Sequence, residues 1–148
     1  MKKATLNEVL EIAPYLREAD KQEILIKNTT IEKAIKTAYE NSYDCRCLKL
    51  NKKVIGIFGI SQQGIIWFLG TDEMNKHSFY FVREGKRVTQ EWLKEHKTLF
   101  NIVDSRNTTH IKWLKIIGAE VNQDDYFLIN DVKFYFFKLT RRKSDVIV

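Results

Sequence analysis

The sequence predicts an α+β protein, a single domain with a mixed, mostly antiparallel sheet flanked by helices. Three observations carry this reading. Between residues 45 and 70, three apolar runs follow one another across short polar turns, the pattern of an antiparallel meander. A helix-periodic stretch follows over about residues 78–96. Residues 99–119 then read as a short strand, an Asn-Thr-Thr helix start, an amphipathic helix and a glycine stop. With 148 residues, 44% of them hydrophobic and 12% aromatic, the chain can bury one sizeable core.

Taken in order, Leu6, Val9, Leu10 and Ala13 have helical spacing that Pro14 interrupts, with Tyr15 and Leu16 in a last turn. A short helix over about 21–26 and a third opening at Thr30, with Ile31, Ala34, Ile35 and Ala38 on one face, make the first third all helical. Strands are expected at 45–50, 54–61 and 65–70, with turns at Asn51-Lys52-Lys53 and Gln62-Gln63-Gly64. Thr71-Asp72-Glu73 opens an irregular link to the long helix. Its buried side is assigned to Val82, Gly85, Val88, Trp92 and Leu93, with Gly85 allowing close approach to the sheet. The strand 99–103, the helix 108–117 and two strands at about 121–129 and 133–139 close the domain. A basic tail over about 141–148 is expected to fray.

Composition narrows the function classes. No apolar stretch approaches the roughly 20 residues of a membrane helix, and the first residues lack the apolar run of a secretory signal. Cys45 and Cys47 share a strand face at a spacing too wide for a disulfide, so free thiols are expected. Without a Cys-x-x-Cys motif and with only three scattered histidines, no metal site is expected. The net charge is +6, half of it in residues 131–148. Much of the rest, Arg83, Lys86, Arg87, Lys94 and Lys97, recurs along one flank of the long helix. A solvated face is the default reading of that flank; nucleic acid, an acidic protein or a phosphate-bearing ligand is the alternative.

The strand–Asn–helix–Gly order resembles the second half of the GNAT acyltransferase fold. Within that superfamily the chain is similar to the GNAT-like internal virion proteins of short-tailed phages. The resemblance rests on Trp67-Phe68-Leu69-Gly70-Thr71-Asp72, Lys76-His77, Phe81-Val82-Arg83-Glu84, Asn101-Ile102-Val103-Asp104-Ser105-Arg106-Asn107-Thr108 and Ile111-Lys112-Trp113-Leu114-Lys115.

The resemblance implies an acetyl-CoA site, which is tested against the residues present. GNAT enzymes grip the pyrophosphate with a glycine-rich turn opening the long helix, where small residues let backbone N–H groups crowd round phosphate. Here the turn carries only Gly70, placed early, followed by Asp72 and Glu73. Gly70, Thr71, Lys76, Arg83 and Asn107 are the positions that would hold the cofactor. The tyrosine that protonates the departing thiolate in many GNAT enzymes aligns with Leu114, and Ala119 replaces the usual aromatic. Asp104 as a general base and His110 as a proton carrier remain as catalytic candidates; turn capping, with Arg106 pairing Asp104, and a polar first turn of the last helix are the structural alternatives.

The expected function is therefore a GNAT-fold phage protein with a degenerate acetyl-CoA site and no bound cofactor. It would act through phage or host protein contacts in virion morphogenesis or inside the particle, in the host cytoplasm and the virion. An acetyl-CoA-dependent N-acetyltransferase with a divergent phosphate turn is the second expectation. A host-directed inhibitor or a nucleic-acid-contacting factor, using the cationic flank and tail, is the third.

Overall fold

A computed structural model describes residues 1–141. In chain order it contains β1 (Lys2–Lys3), α1 (Leu6–Glu11), a 3-10 turn (Ala13–Tyr15), α2 (Glu18–Leu25), α3 (Ile31–Asn41), β2 (Ser42–Leu50), β3 (Lys53–Ser61), β4 (Ile66–Gly70), the single turn α4 (Glu73–Lys76), α5 (Ser78–Trp92), β5 (Thr98–Asp104), α6 (Thr108–Ile117), β6 (Glu120–Ile129) and β7 (Val132–Thr140). Local chemistry sets the boundaries. Thr5 and Glu8 form a reciprocal capping box on α1, Thr30 caps α3, and Asn107 caps α6. Pro14 sits in the first turn of its 3-10 segment, where its missing N–H costs nothing. Gly118 ends α6 at φ +120°, a conformation that side-chain-bearing residues rarely adopt.

The strands form two antiparallel sheets, β1-β2-β3-β4 and β5-β7-β6. They meet at a single parallel bridge between Ile65 and Phe100, reinforced by Phe100 N–H to the Gly64 carbonyl at 3.1 Å and by Asn101 Nδ2 to the Ile66 carbonyl at 2.7 Å. Past this point β4 and β5 no longer pair. Their C-terminal ends, Gly70 and Asp104, flank a gap that opens the functional region.

Helices cover both faces of the first sheet. Val9, Ile12, Leu16 and Ile35 from the first three helical segments pack with Cys45, Cys47 and Ile57. On the opposite side Phe81, Val88 and Trp92 of α5 and Trp113, Leu114 and Ile117 of α6 pack with Phe58, Phe68, Val103, Phe137 and Leu139. Four rings tie this core together: Phe58 stacks on Phe81 at 4.9 Å, Phe68 meets Phe58 edge-on at 4.9 Å, and Trp113 lies 4.7 Å from Phe81. A Cβ at Gly85 would lie 2.8 Å from Ile117 and 3.4 Å from Phe58, so the missing side chain lets α5 close on both.

Four expectations need correction. The first third is not all helical, because Lys2 and Lys3 pair with Arg46 and Cys47 as an edge strand. The link after β4 is not irregular: it contains α4, whose Met74 is fully buried. Helix α5 stops at Trp92, four residues early, and Arg141 donates to the Leu93 and Lys94 carbonyls beyond it, so Lys94 and Lys97 lie past the helix. Its buried side adds Phe81, Glu84 and Thr89, while Val82 is only partly covered. Both cysteines are free, with burial pushing the Cys45 thiol up to about 12. The expected frayed tail lies outside the described residues beyond Arg141, which is itself tied to the α5 end.

Candidate functional site

The gap between β4 and β5 is the centre of the candidate site: a cavity of about 590 Å³, lined by Phe68 and Leu69 of β4, Asn101 and Ile102 of β5, Glu23 and His110, lies between the strands, and a buried polar network bridges their C-terminal ends. Arg17, the residue before α2, and Asp20, in its first turn, are 5% and 2% exposed. Arg17 Nη1 donates to Asp20 Oδ1 at 3.1 Å, and Nη2 donates to Asn107 Oδ1 at 3.3 Å. Asn107 Nδ2 returns a bond to Asp20 Oδ1 at 2.8 Å. The other Asp20 oxygen accepts the Gly70 N–H at 3.1 Å, and the Gly70 carbonyl accepts the Arg17 N–H at 3.0 Å. One carboxylate thus joins the end of β4 to the cap of α6. The Arg17 guanidinium also lies 4.8 Å from the Trp113 ring, a cation–π contact on its remaining face.

The segment that the resemblance assigns to phosphate binding is bonded inward up to His77, whereas among the described residues the N–H groups of Ser78, Phe79 and Tyr80 at the start of α5 have no acceptor. Thr71 is buried, and both its N–H and its hydroxyl donate to the Ile55 carbonyl. The N–H groups of Met74, Asn75 and His77 close turns on Thr71, Asp72 and Met74. Met74 fills the space above two sheet glycines: a Cβ on Gly56 would lie 2.9 Å from its methyl, and one on Gly70 3.0 Å from its Cγ. Lys76 is exposed and lies 3.6 Å from Glu73; Arg83 is exposed with its guanidinium over Tyr80 at 5.4 Å. Of the five cofactor positions, the network brings together Gly70 and Asn107. Thr71 lies beside them, and Lys76 and Arg83 stand apart on the surface.

The catalytic candidates are also engaged. Asp104 is 1% exposed; the Arg106 guanidinium forks onto its carboxylate at 2.7 to 3.2 Å, and the Arg106 N–H adds a bond at 2.8 Å. The Asp104 N–H donates to Glu23 Oε1 at 2.8 Å. Burial, together with Asp20 and Asp104 nearby, pushes the Glu23 carboxyl up to about 7. His110 is buried against Phe68, 4.0 Å from Asp20, and its Nε2 has no hydrogen-bond partner. Burial holds its pKa below the ordinary histidine value, with Arg17 acting in the same direction against Asp20. Leu114 is fully buried in the main core.

Arg17, Asp20 and Glu23 were not among the candidate residues. The i, i+3 spacing of Arg17 and Asp20 is the signal that could have paired them. Among the described residues no group of three His, Cys, Asp or Glu could hold a metal ion, and no helix is long and apolar enough to cross a membrane.

A family model described as bacteriophage T7, probable scaffold protein Gp13, matches residues 44–126, more than half of the chain. The chain belongs to this family. Probable scaffold protein gp13 of Escherichia phage T7 is 33% identical over 79 residues, covering 51% of this chain and 55% of that protein, so the match spans about half the length of the relative. The solved structures that resemble this chain include GNAT acetyltransferases. One from Bacillus anthracis has a TM-score of 0.64 at 11% identity, with 94% and 92% of the two chains covered. An aminoglycoside acetyltransferase solved with coenzyme A and kanamycin has 0.66 at 13%, with 95% and 93% covered. At such identities the likeness establishes the GNAT fold alone. The matched region of the scaffold family runs from β2 into β6 and leaves out Arg17 and Asp20.

Proposed function

We propose that this chain is a GNAT-fold phage morphogenesis protein that works through protein contacts, with the cofactor cleft of its scaffold closed at the C-terminal ends of β4 and β5 by its own side chains, while a cavity remains between the two strands. The observation that carries the reading is the buried Arg17–Asp20–Asn107 network. It lies between the two strand ends and takes up the Gly70 N–H. The residues of the turn before α5 fit acetyl-CoA poorly: the N–H groups of Gly70, Thr71, Met74, Asn75 and His77 point to internal acceptors, and Met74 fills the space that small residues would leave, so that only the first N–H groups of α5 are open.

This reading places the protein in the host cytoplasm during assembly and in the virion, with a phage or host protein as partner. Catalysis is no part of it, since Asp104 is neutralised by Arg106 and Leu114 has no proton to give. Isothermal titration of the full chain with acetyl-CoA tests it. No saturable heat at millimolar ligand is expected; micromolar binding together with acetyl transfer to a host lysate would replace it with the acetyltransferase reading.

A further inference from the structure

We propose that the groove between α5 and α6 is a docking site for an acidic amphipathic helix of a protein partner. The proposal rests on the reading just given, that the chain acts through protein contacts, and it names the surface and the chemistry of the contact. The groove has a volume of about 530 Å³ and is walled by one face of each helix. Its lips are apolar and open to water: Phe79 on α5 is 79% exposed and Ile116 on α6 is 46% exposed. Val82 and the nearly buried Trp113 form the floor, each one turn along its helix from a lip residue. Nothing in the fold requires a phenylalanine to stand in solvent at the start of a helix, and burying it on a partner would remove that apolar area from water.

Charge selects the occupant. Lys112 lines the groove, Arg83, Lys86 and Lys115 stand exposed on the same two helices, and no carboxylate lines the groove. Among the described residues none of these four cations has an ion-pair partner, whereas Arg46, Lys49, Lys76, Arg87 and Arg106 do. An apolar cleft rimmed by unpaired cations complements a helix with an apolar stripe and an acidic remainder, the helix-in-groove mode of recognition. A nucleic-acid backbone would satisfy the cations but leave Phe79 and Ile116 against phosphate. A flat anionic bilayer would touch the lips and leave the recessed floor unfilled.

The test is fluorescence anisotropy on the full chain with a labelled peptide about four helical turns long, leucine on one stripe and glutamate elsewhere. Its controls are a scrambled peptide of the same composition, a lysine-faced analogue, a short DNA duplex and phosphatidylserine vesicles. Saturable binding of the acidic amphipathic peptide alone is expected. It should weaken about tenfold or more in F79S and in K112E, and not in F136S on the remote face of the second sheet. All three substitutions are at exposed positions, and unchanged melting temperatures exclude misfolding.

Equal binding of the scrambled peptide, indifference to F79S, or preference for duplex or vesicles would overturn the proposal. The two readings fail separately. Peptide failure without acetyl-CoA binding removes only the groove, and peptide binding alongside micromolar acetyl-CoA binding removes only the closed cleft.

Discussion

Asp20 accepts hydrogen bonds from a guanidinium, a side-chain amide and a backbone N–H at once, while only 2% of its surface meets water. Removing it strands Arg17 as a buried charge. Asp20→Ala should therefore destabilise the protein by about 3–5 kcal/mol in urea unfolding, and the double variant with Arg17→Ala should cost less than the sum of the two single changes. Additive costs would mean that the pair is not coupled. Glu23 gives a pH signature. The folded carboxyl keeps its proton to about pH 7, while an unfolded one loses it near 4.5, so stability falls as pH rises through that window. Glu23→Gln keeps an acceptor for the Asp104 N–H and removes the penalty. Its gain over the parent should be near zero below pH 4.5 and rise to at most about 3 kcal/mol above pH 7, read from melting curves at pH 4 and pH 8. These residues were hard to read from sequence because Arg17 and Asp20 sit at the start of a helix with no clear apolar stripe, where charges are normally solvated. Asp104, by contrast, was legible as a capping residue, since Asp-Ser-Arg-Asn is turn chemistry and its carboxylate indeed meets the Arg106 N–H.

At the scale of elements, the meander and the strand–helix–hairpin second half were legible because their periods are unambiguous: an apolar β3, a strictly alternating end to β7, and an Asn cap with a Gly stop around α6. What escaped were segments defined by contacts across the fold. β1 is two lysines with no apolar pattern, recruited as a strand only by the free edge of β2. α4 exists because Met74 fills a space above Gly56 and Gly70, which no local signal reveals. α5 is cut short by Arg141, 48 residues away, which takes up the Leu93 carbonyl. The β2–β3 hairpin offers a test at this scale. Its two loop residues, Asn51 and Lys52, both have positive φ, at 51° and 67°, and lysine is strained there. Lys52→Gly should raise stability by about 0.5–1 kcal/mol in denaturant unfolding without altering the fold; a loss would mean that the lysine side chain makes a contact worth more than the strain.

For the whole molecule, a GNAT fold and a phage scaffold family coincide in one chain, with the two sheets held by a single parallel bridge at one end and by Arg17, Asp20 and Asn107 at the other. On the function proposed above, the tied strand ends and the exposed Phe79 belong to a scaffold kept for its shape and its surfaces. Sequence alone exposed half of this: the missing glycines and the leucine in the tyrosine position are visible in the chain, but what ties the strand ends comes from a segment more than 80 residues before Asn107. The most direct measurement is the amide resonance of Gly70 during a titration of the full chain with acetyl-CoA. If Asp20 holds that N–H in a closed cleft, the resonance stays in place and exchanges slowly with solvent up to millimolar ligand. A saturable shift of the Gly70 and Thr71 amides at micromolar ligand would show the diphosphate cradled there and contradict the closed cleft.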